Sequence, residues 1–317
     1  MLSSPLTWSE AKRIAALAGA VGLSPASASI QRVSARVFRF RSGPYDLALK
    51  LFDGRGGLER ARLEAAAYLR LQPLGAPVPK LRACQADARG IAREWVEGES
   101  LATALHAGTA VPGGLAIAAA WQRLVDTLAP WTHAVTPGRL TRVRRRRLAE
   151  LEALAASVAE APPLEHLRMS AAAIGPDVRA LPQRIVAEPL ALVPLDVSPS
   201  NVIVTRAREL VFVDLEAIGL DHPCFALCKV MLLSGRATAD GVARSALVGL
   251  DSAVERASLG WSPLRWEALD AAHLLLALAD AWRPRKDGDL STRAWLAVAR
   301  LAFSPAQPMA AIRATLR

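Results

Sequence analysis

The β-type pattern between positions 28 and 52 constrains the fold of this chain more than any other feature. Ser29–Val33 and Arg36–Arg41 alternate apolar and polar residues with a period of two, which is typical of strands. Ser42-Gly43-Pro44 then supplies a turn, and Leu47–Phe52 is expected to form a third strand. Because the three segments are short and consecutive, we expect a small antiparallel sheet in this part of the chain.

Helical spacing of apolar residues is found on both sides of these strands. Helices are expected at 8–22 and 58–72, and two further short strands near Lys80–Gln85 and Gly90–Val96. From about residue 99 the pattern becomes mostly helical, with helices expected at 115–129, 142–156, 224–233, 243–257, 263–282 and 292–301. This order predicts an α+β fold with two lobes: a small antiparallel sheet plus one helix in residues 1–96, and a larger, mostly helical lobe in residues 97–317.

Composition limits the class of protein. Hydrophobic residues make up 52% of the 317 positions, which argues against disorder. The longest apolar stretches, such as Leu274–Ala279, are too short to span a bilayer. Met1–Pro5 lacks the basic and apolar stretches of a secretory signal, so a cytoplasmic location is expected. The three cysteines give no disulfide framework, and zinc is not favoured at Cys224 and Cys228 because a fourth ligand is missing.

Asn201 is the only asparagine in the chain, and it lies between two aspartates. Asp196 precedes it by five residues and Asp214 follows it by thirteen, each beside a short β-type run. Mg²⁺ takes few protein oxygens and completes its octahedron with water and substrate phosphates. The spacing therefore indicates phosphoryl transfer, with Asn201 and Asp214 as metal ligands. Asp196 would be the base or would orient the acceptor hydroxyl, and Glu216 could assist the metal through water.

Lys50 is the candidate cation for the nucleotide phosphates. The chain has 39 lysines and arginines, of which only five are lysine, so a lysine here favours a site that uses a compact point charge instead of a planar guanidinium. Apolar neighbours on both sides predict a buried stem whose ammonium group reaches the phosphates. Glu64, in the following helix, is the candidate partner that fixes this cation. Glu59 is a competitor on a different face of the same helix.

With these residues in place, the chain resembles the aminoglycoside phosphotransferase family, small-molecule kinases with a protein-kinase-like fold. The family carries His-Gly-Asp-x4-Asn and then an Ile-Asp-x-Glu strand, and the matching segments here are Pro194-Leu195-Asp196…Asn201 and Val213–Glu216. Glu64–Leu69, Ala76-Pro77-Val78-Pro79 and Arg93–Leu101 are similar to the family's glutamate helix, its "vPvP" turn and its hinge. The resemblance covers about residues 28–235. It implies ATP and Mg²⁺ as cofactors, a small hydroxylated acceptor, and adenine bound by backbone groups of Glu94 and Val96.

Three positions depart from the family pattern. Pro194 and Leu195 replace the His-Gly pair before the catalytic aspartate, and Ala226 stands where a second structural aspartate is usual. The expected nucleotide-covering loop, residues 32–36, contains no glycine, although Ser34 could donate its hydroxyl to a phosphate. These departures leave open a pseudokinase, a nucleotide-binding or scaffold protein with the same fold.

Arg142–Arg147 is the densest cluster of charge in a chain whose formal net charge is +10. A solvated helix face is the simplest interpretation; an anionic acceptor or an anionic membrane surface would be a functional one. A kinase of a lipid-linked or polyanionic glycan is therefore a further alternative. Nucleic acid is not favoured, because no aromatic residues interleave with the arginines. The acceptor pocket is expected from residues 237–290, whose eight acids and six bases leave a cationic acceptor open as well.

Overall fold

The computed structural model describes residues 5–107, 109, 112–160, 171–196, 198–234 and 257–281. The helix expected at 292–301, and the one at 243–257 apart from Ala257, lie outside these residues. The chain divides by its internal contacts into two compact units. The first comprises Met1–Gly98 with Val211–Ile218, and the second comprises Glu99–Leu210 with Gly219–Arg317. The segment that carries Asp214 and Glu216 therefore belongs to the same unit as Lys50.

An antiparallel five-stranded sheet forms the centre of the first unit, with the strand order β1-β2-β3-β5-β4. Its strands are β1 (Ser29–Arg32), β2 (Val37–Ser42), β3 (Tyr45–Leu51), β4 (Leu81–Gln85) and β5 (Gly90–Glu94). Gly43, with a φ of +55°, makes the tight turn between β2 and β3. In the resulting register Val37 pairs with Lys50, which in turn pairs with Ile91 on β5.

Two helices of this unit use opposite faces of the sheet. Helix α1 (Trp8–Ala20) places Ile14 and Leu17 in one core cluster with Leu47, Leu49 and Leu51, the odd-numbered residues of β3. Helix α2 (Gly57–Leu71) contacts β4 and β5. Because successive side chains of a strand alternate in direction, Lys50 points away from the α1 core and towards α2. The strand pattern thus decides where Lys50 lies.

The second unit is mostly helical. Its helices are α3 (Leu101–His106), α4 (Gly114–His133), α5 (Pro137–Ala159), α6 (Ala171–Ala187), α7 (Pro223–Ser234) and α8 (Pro263–Ala281). Short strands also occur between residues 98 and 221, and three of them include residues of the first unit: β6 (Gly98–Ser100), β9 (Leu210–Phe212) and β10 (Ile218–Asp221). The other two, β7 (Ala191–Pro194) and β8 (Val202–Thr205), belong to the second unit. The pair β7–β10 forms a two-stranded sheet. No helix within the described residues is long and apolar enough to cross a membrane.

Several boundaries differ from the sequence-based expectation. Helix α5 begins at Pro137 rather than near 142, because Pro is well suited to the first turn of a helix, where its missing N–H costs no hydrogen bond. Helix α4 continues through Pro130 to His133, so the expected end at Ala129 was wrong. Helix α6 and strand β7 were not predicted at all. Strand β7 is held at its start by the Leu192 N–H, which donates to Thr132 Oγ1 over 2.9 Å.

Candidate active site

Lys50 and Glu64 form a buried ion pair in the first unit. The Lys50 ammonium lies 2.6 Å from Glu64 Oε2, and the two side chains are 3% and 0% exposed. The pair depends on a close approach at Gly57, where an added Cβ would lie 2.6 Å from the Phe52 carbonyl oxygen. Because Gly57 lets α2 begin beside the end of β3, Glu64 follows about two turns later, over Lys50. Glu59 is exposed, so the choice between the two glutamates falls on Glu64.

Asp214 and Glu216 complete the surroundings of the same ammonium group. Asp214 Oδ1 lies 2.5 Å from Lys50 Nζ, and Glu216 Oε2 lies 3.5 Å from it. Asp214 has a φ of +65°, the left-handed region, which costs a non-glycine residue about 1 kcal/mol. Aspartate tolerates this conformation better than most residues. The residue that sequence reasoning assigns to the metal is therefore also a strained one.

Tyr68 is the residue of this cluster that sequence reasoning missed. It lies one turn after Glu64 on α2 and is completely buried. Its hydroxyl donates to Glu64 Oε1 over 3.0 Å and accepts the main-chain N–H of Asp214 over 3.2 Å. Burial, assisted by the negative charge of Glu64, raises the pKa of Tyr68 well above its usual value, so the group is a neutral donor. The spacing of four residues from Glu64 was the available signal.

The cluster carries an excess of negative charge. Three carboxylates, those of Glu64, Asp214 and Glu216, offer oxygens within 4.8 Å of one another. Burial raises the pKa of Glu64, and the Lys50 charge opposes that effect. Asp214 and Glu216 are 25% and 17% exposed, so the accessible side of the cluster is the side that bears their oxygens. Oxygen ligands of this kind suit Mg²⁺, and the donor set therefore fits the predicted cofactor.

Asp196 and Asn201 lie together in the second unit. Asp196 is exposed, two residues beyond the end of β7, and Asn201 ends a single 3-10 turn, Pro199–Asn201. The Asn201 side-chain NH₂ donates to the Asp196 carbonyl oxygen over 3.1 Å. Because a carbonyl can only accept, this bond fixes the amide orientation and leaves Oδ1 as the atom able to bind a cation.

The residues expected to bind the nucleotide base and phosphates belong to the first unit. The Glu94 N–H donates to the Lys80 carbonyl over 2.8 Å, and Val96 lies two residues beyond the end of β5. Ser34 lies exposed in the turn between β1 and β2, and its Oγ accepts the Arg36 N–H over 3.4 Å. An oxygen used in this way keeps its own hydrogen available for a phosphate.

Two of the positions that depart from the family pattern, Leu195 and Ala226, make apolar contacts. Leu195 packs over Gly219, where a Cβ would lie 2.6 Å from Leu195 Cδ1, so the glycine makes room for the leucine. Ala226 is 1% exposed and belongs to the apolar core of α7. Asp221, fully buried, is bound by the Arg147 guanidinium at 2.9 and 2.6 Å. The buried Asp221 is therefore paired with an arginine of the basic run, a contact that the sequence alone did not reveal.

The basic run divides into two kinds of residue. Arg147 also contacts Glu150 at 2.6 Å and stacks over Phe225, so the prediction of a uniformly solvated face was wrong for this residue. The other four arginines of the run are exposed: Arg142, Arg144, Arg145 and Arg146. Among these four, Arg146 approaches Glu150 at 3.6 Å.

The region expected to supply the acceptor pocket is described only at residues 257–281. There, residues 259–262, Leu264 and Arg265 line an open cavity of about 500 Å³ together with Glu188. Glu188 is 2% exposed, accepts from Arg265 Nε over 3.0 Å and from the Cys224 N–H over 2.9 Å, and burial raises its pKa. The cavity adjoins the start of β7, whereas Asp196 follows the end of that strand. Trp266 and His273 are buried in the same helix, α8.

Comparison with known proteins identifies the class of protein. A family model described as a phosphotransferase enzyme family matches residues 30–266, so the chain belongs to this family and the resemblance seen in the sequence is confirmed. No curated protein sequence matches at a significant level.

Several solved structures are similar to this chain at low sequence identity. An aminoglycoside phosphotransferase from Alicyclobacillus acidocaldarius subsp. acidocaldarius DSM 446 superposes with a TM-score of 0.56 at 13% identity, covering 92% of this chain and 93% of that one. A choline/ethanolamine kinase family protein from Mesorhizobium loti gives a TM-score of 0.49 at 18% identity over 98% and 99%. A macrolide 2'-phosphotransferase from Brachybacterium faecium gives 0.48 at 17% over 93% and 98%. The first similarity confirms the α+β, kinase-like fold class.

Proposed function

We propose that this protein is a kinase that transfers the γ-phosphoryl group of ATP, with Mg²⁺, to a hydroxyl of a small molecule. The observation that carries the proposal is the group of Lys50, Glu64 and Asp214: a buried ammonium fixed by one carboxylate and in contact with a second. Phosphoryl transfer asks a protein mainly to position phosphates and neutralise their charge. A lysine held in this way does both.

Each remaining residue has a role in the proposal. Asp214 and Asn201 Oδ1 bind Mg²⁺, which supplies charge neutralisation at the phosphates. Asp196 orients the acceptor hydroxyl and accepts its proton. Ser34 donates to a phosphate, and backbone groups of Glu94 and Val96 bind the base. A cytoplasmic location, and the absence of nucleic acid among the partners, stay predictions.

The test begins with transfer from ATP over a panel of hydroxylated metabolites, sugars and aminoglycosides. For an acceptor found in this way, Asp196→Asn should lower turnover at least about 100-fold, the scale of general-base catalysis. Binding of ATP in the presence of Mg²⁺, measured by thermal shift, should stay unchanged. Asp87→Asn, which removes an exposed acid from the β4–β5 turn, is the matched control. Full activity of Asp196→Asn would overturn the mechanism.

A pseudokinase is the second candidate, and the glycine-free loop at Ser34 together with Pro194 and Ala226 favours it. The discriminating measurement is the thermal shift by ATP with and without MgCl₂. A shift that needs the metal, combined with transfer to any acceptor, supports the kinase. A thermal shift that is the same with and without MgCl₂, combined with no phosphoryl transfer to any acceptor, supports the pseudokinase.

A kinase of a lipid-linked or polyanionic glycan is the third candidate. The exposed arginines at 142 and 144–146 support it, because a cluster of exposed cations on one helix favours an anionic surface. Of the four, Arg146 is also close to Glu150, at 3.6 Å. It predicts salt-sensitive binding to anionic vesicles that is lost when these four arginines are replaced by glutamine. Arg147 should be kept in that variant, since it binds the buried Asp221.

A further inference from the structure

We propose that Tyr68 is a positioning residue that couples the Lys50–Glu64 pair to the metal ligand Asp214. The inference rests on the proposed function, in which Asp214 binds Mg²⁺. It adds a residue that neither the family motifs nor the sequence pattern assign to the reaction.

The contacts form a closed ring of four residues. Lys50 Nζ binds Glu64 Oε2 at 2.6 Å, and the other oxygen of Glu64 accepts from the Tyr68 hydroxyl at 3.0 Å. The same hydroxyl accepts the Asp214 N–H at 3.2 Å, and Asp214 Oδ1 returns to Lys50 Nζ at 2.5 Å. A phenol has one hydrogen to donate and lone pairs to accept with, so both of its bonds exist together. Every polar group in the ring therefore has a partner within it.

The position of Tyr68 on α2 means that one helix controls both the lysine and the aspartate of the ring. Glu64 and Tyr68 are four residues apart, one helical turn, so they lie on one face of α2 and move as a unit. One of them holds the lysine, and the other holds the backbone of Asp214 in its left-handed conformation. A displacement of α2 would release both contacts at once. The hydroxyl thus links the orientation of the phosphate-binding cation to that of the metal-binding carboxylate.

Replacement of Tyr68 by phenylalanine separates this role from simple packing. The aromatic group of the side chain stays in place, but Glu64 Oε1 and the Asp214 N–H lose the hydroxyl that both of them bind. We expect Tyr68→Phe to raise the MgCl₂ concentration needed for half-maximal ATP binding about tenfold. ATP binding without metal should change less than about twofold. Such a split is not expected from a residue that only fills space.

The chain supplies a matched control, because Tyr45 is its only other tyrosine and is 45% exposed. Tyr45→Phe removes the same oxygen away from the ring and should leave the magnesium titration unchanged. The inference is overturned if Tyr68→Phe shifts that titration no more than Tyr45→Phe does. It is equally overturned if Tyr68→Phe weakens ATP binding to the same extent with and without metal.

The Tyr45→Phe protein also permits a measurement that needs no turnover. With 3-fluorotyrosine incorporated, its one ¹⁹F resonance reports Tyr68 alone. Addition of ATP with MgCl₂ should move this resonance, and Asp214→Asn should abolish the movement. A resonance that stays in place while ATP and Mg²⁺ bind contradicts the coupling but leaves the kinase proposal intact. Failure of the native protein to bind ATP with Mg²⁺ contradicts the proposed function itself and, with it, the coupling.

Discussion

The Lys50 ammonium and the Glu64 carboxylate meet at 2.6 Å in the interior of the first unit, with side chains that are 3% and 0% exposed. A buried ion pair gains little from its formation, because both charges lose water, but its disruption strands a charge. The two partners are not equivalent here. Lys50 has a second close carboxylate in Asp214, whereas Glu64 has, besides Lys50, the neutral Tyr68 hydroxyl.

This asymmetry predicts unequal effects on stability. Lys50→Met should lower the free energy of unfolding by about 3 kcal/mol at pH 8, because Glu64 is left buried without its cation. Glu64→Gln should cost less, since Lys50 keeps Asp214 at 2.5 Å. Urea unfolding of both variants measures the difference. Equal losses would show that the pair does not act as described.

The pH dependence of Lys50→Met follows from the same argument. Burial raises the pKa of Glu64 and the Lys50 charge lowers it, so removal of the lysine raises that pKa further. When the pKa of a carboxyl group is higher in the folded than in the unfolded state, the free energy of unfolding decreases as the pH rises through the folded-state pKa. Lys50→Met should therefore be less destabilised at pH 5 than at pH 8. The double variant Lys50→Met with Glu64→Gln should lose this dependence, and the exposed Glu59→Gln should change the unfolding free energy by less than about 0.5 kcal/mol.

His273 on α8 provides a second pH-dependent contribution. It is 5% exposed, and its Nε2 has no hydrogen-bond partner among the described residues, so burial lowers its pKa to about 4. Below pH 6.5 the imidazole of His273 binds a proton in the unfolded chain but stays neutral in the folded chain until the pH approaches 4. The free energy of unfolding should therefore decrease as the pH is lowered from 6.5 to about 4, by at most about 3 kcal/mol. Chemical denaturation of the native protein across this range tests the fall.

The control for His273 is the variant His273→Leu, which should flatten the pH profile between 6.5 and 4. Some slope should remain, because burial also lowers the pKa of His222. Replacement of the exposed His133 by glutamine should leave the profile as it is. An unchanged slope in His273→Leu would mean that other groups carry the dependence.

Sequence reasoning located the parts of the site that depend on local pattern. Lys50 could be predicted because apolar residues surround it in a strand, and alternation alone turns it away from the α1 core. Glu64 was predicted as the partner of Lys50 with Glu59 as its competitor, and both are on α2. Their difference depends on where the helix begins, which the contact between Gly57 and the Phe52 carbonyl decides.

Contacts between distant parts of the sequence were beyond such reasoning. Tyr68 meets the Asp214 N–H across 146 positions, and Arg147 meets Asp221 across 74. One arginine in a run looks like its neighbours until its partner is known. The left-handed backbone of Asp214 likewise has no signal in its residue type alone, because aspartate occurs in many conformations.

Asn201 permits a test of the proposed metal ligand. Its NH₂ group is occupied by the Asp196 carbonyl, so the proposal assigns Oδ1 to Mg²⁺. Asn201→Leu, close in volume, should abolish the magnesium-dependent part of ATP binding, and Asn201→Asp should retain part of it through a carboxylate oxygen. ATP binding in the absence of metal serves as the internal reference for both variants. Retention of the full magnesium effect in Asn201→Leu would exclude this residue as a ligand.

Arg147 differs from the rest of its run in what its removal should cost. Its guanidinium binds Asp221, which is 0% exposed and also accepts the His222 main-chain N–H. Arg147→Gln removes the cation from this buried carboxylate and should lower the free energy of unfolding by about 3 kcal/mol. Arg145→Gln removes the same charge from an exposed position and should cost less than about 0.5 kcal/mol. Urea unfolding of the two variants measures the contrast. Equal costs would show that the Arg147 cation does not stabilise the buried Asp221 charge. The double variant Arg147→Leu with Asp221→Leu should recover part of the loss, because no buried charge then remains.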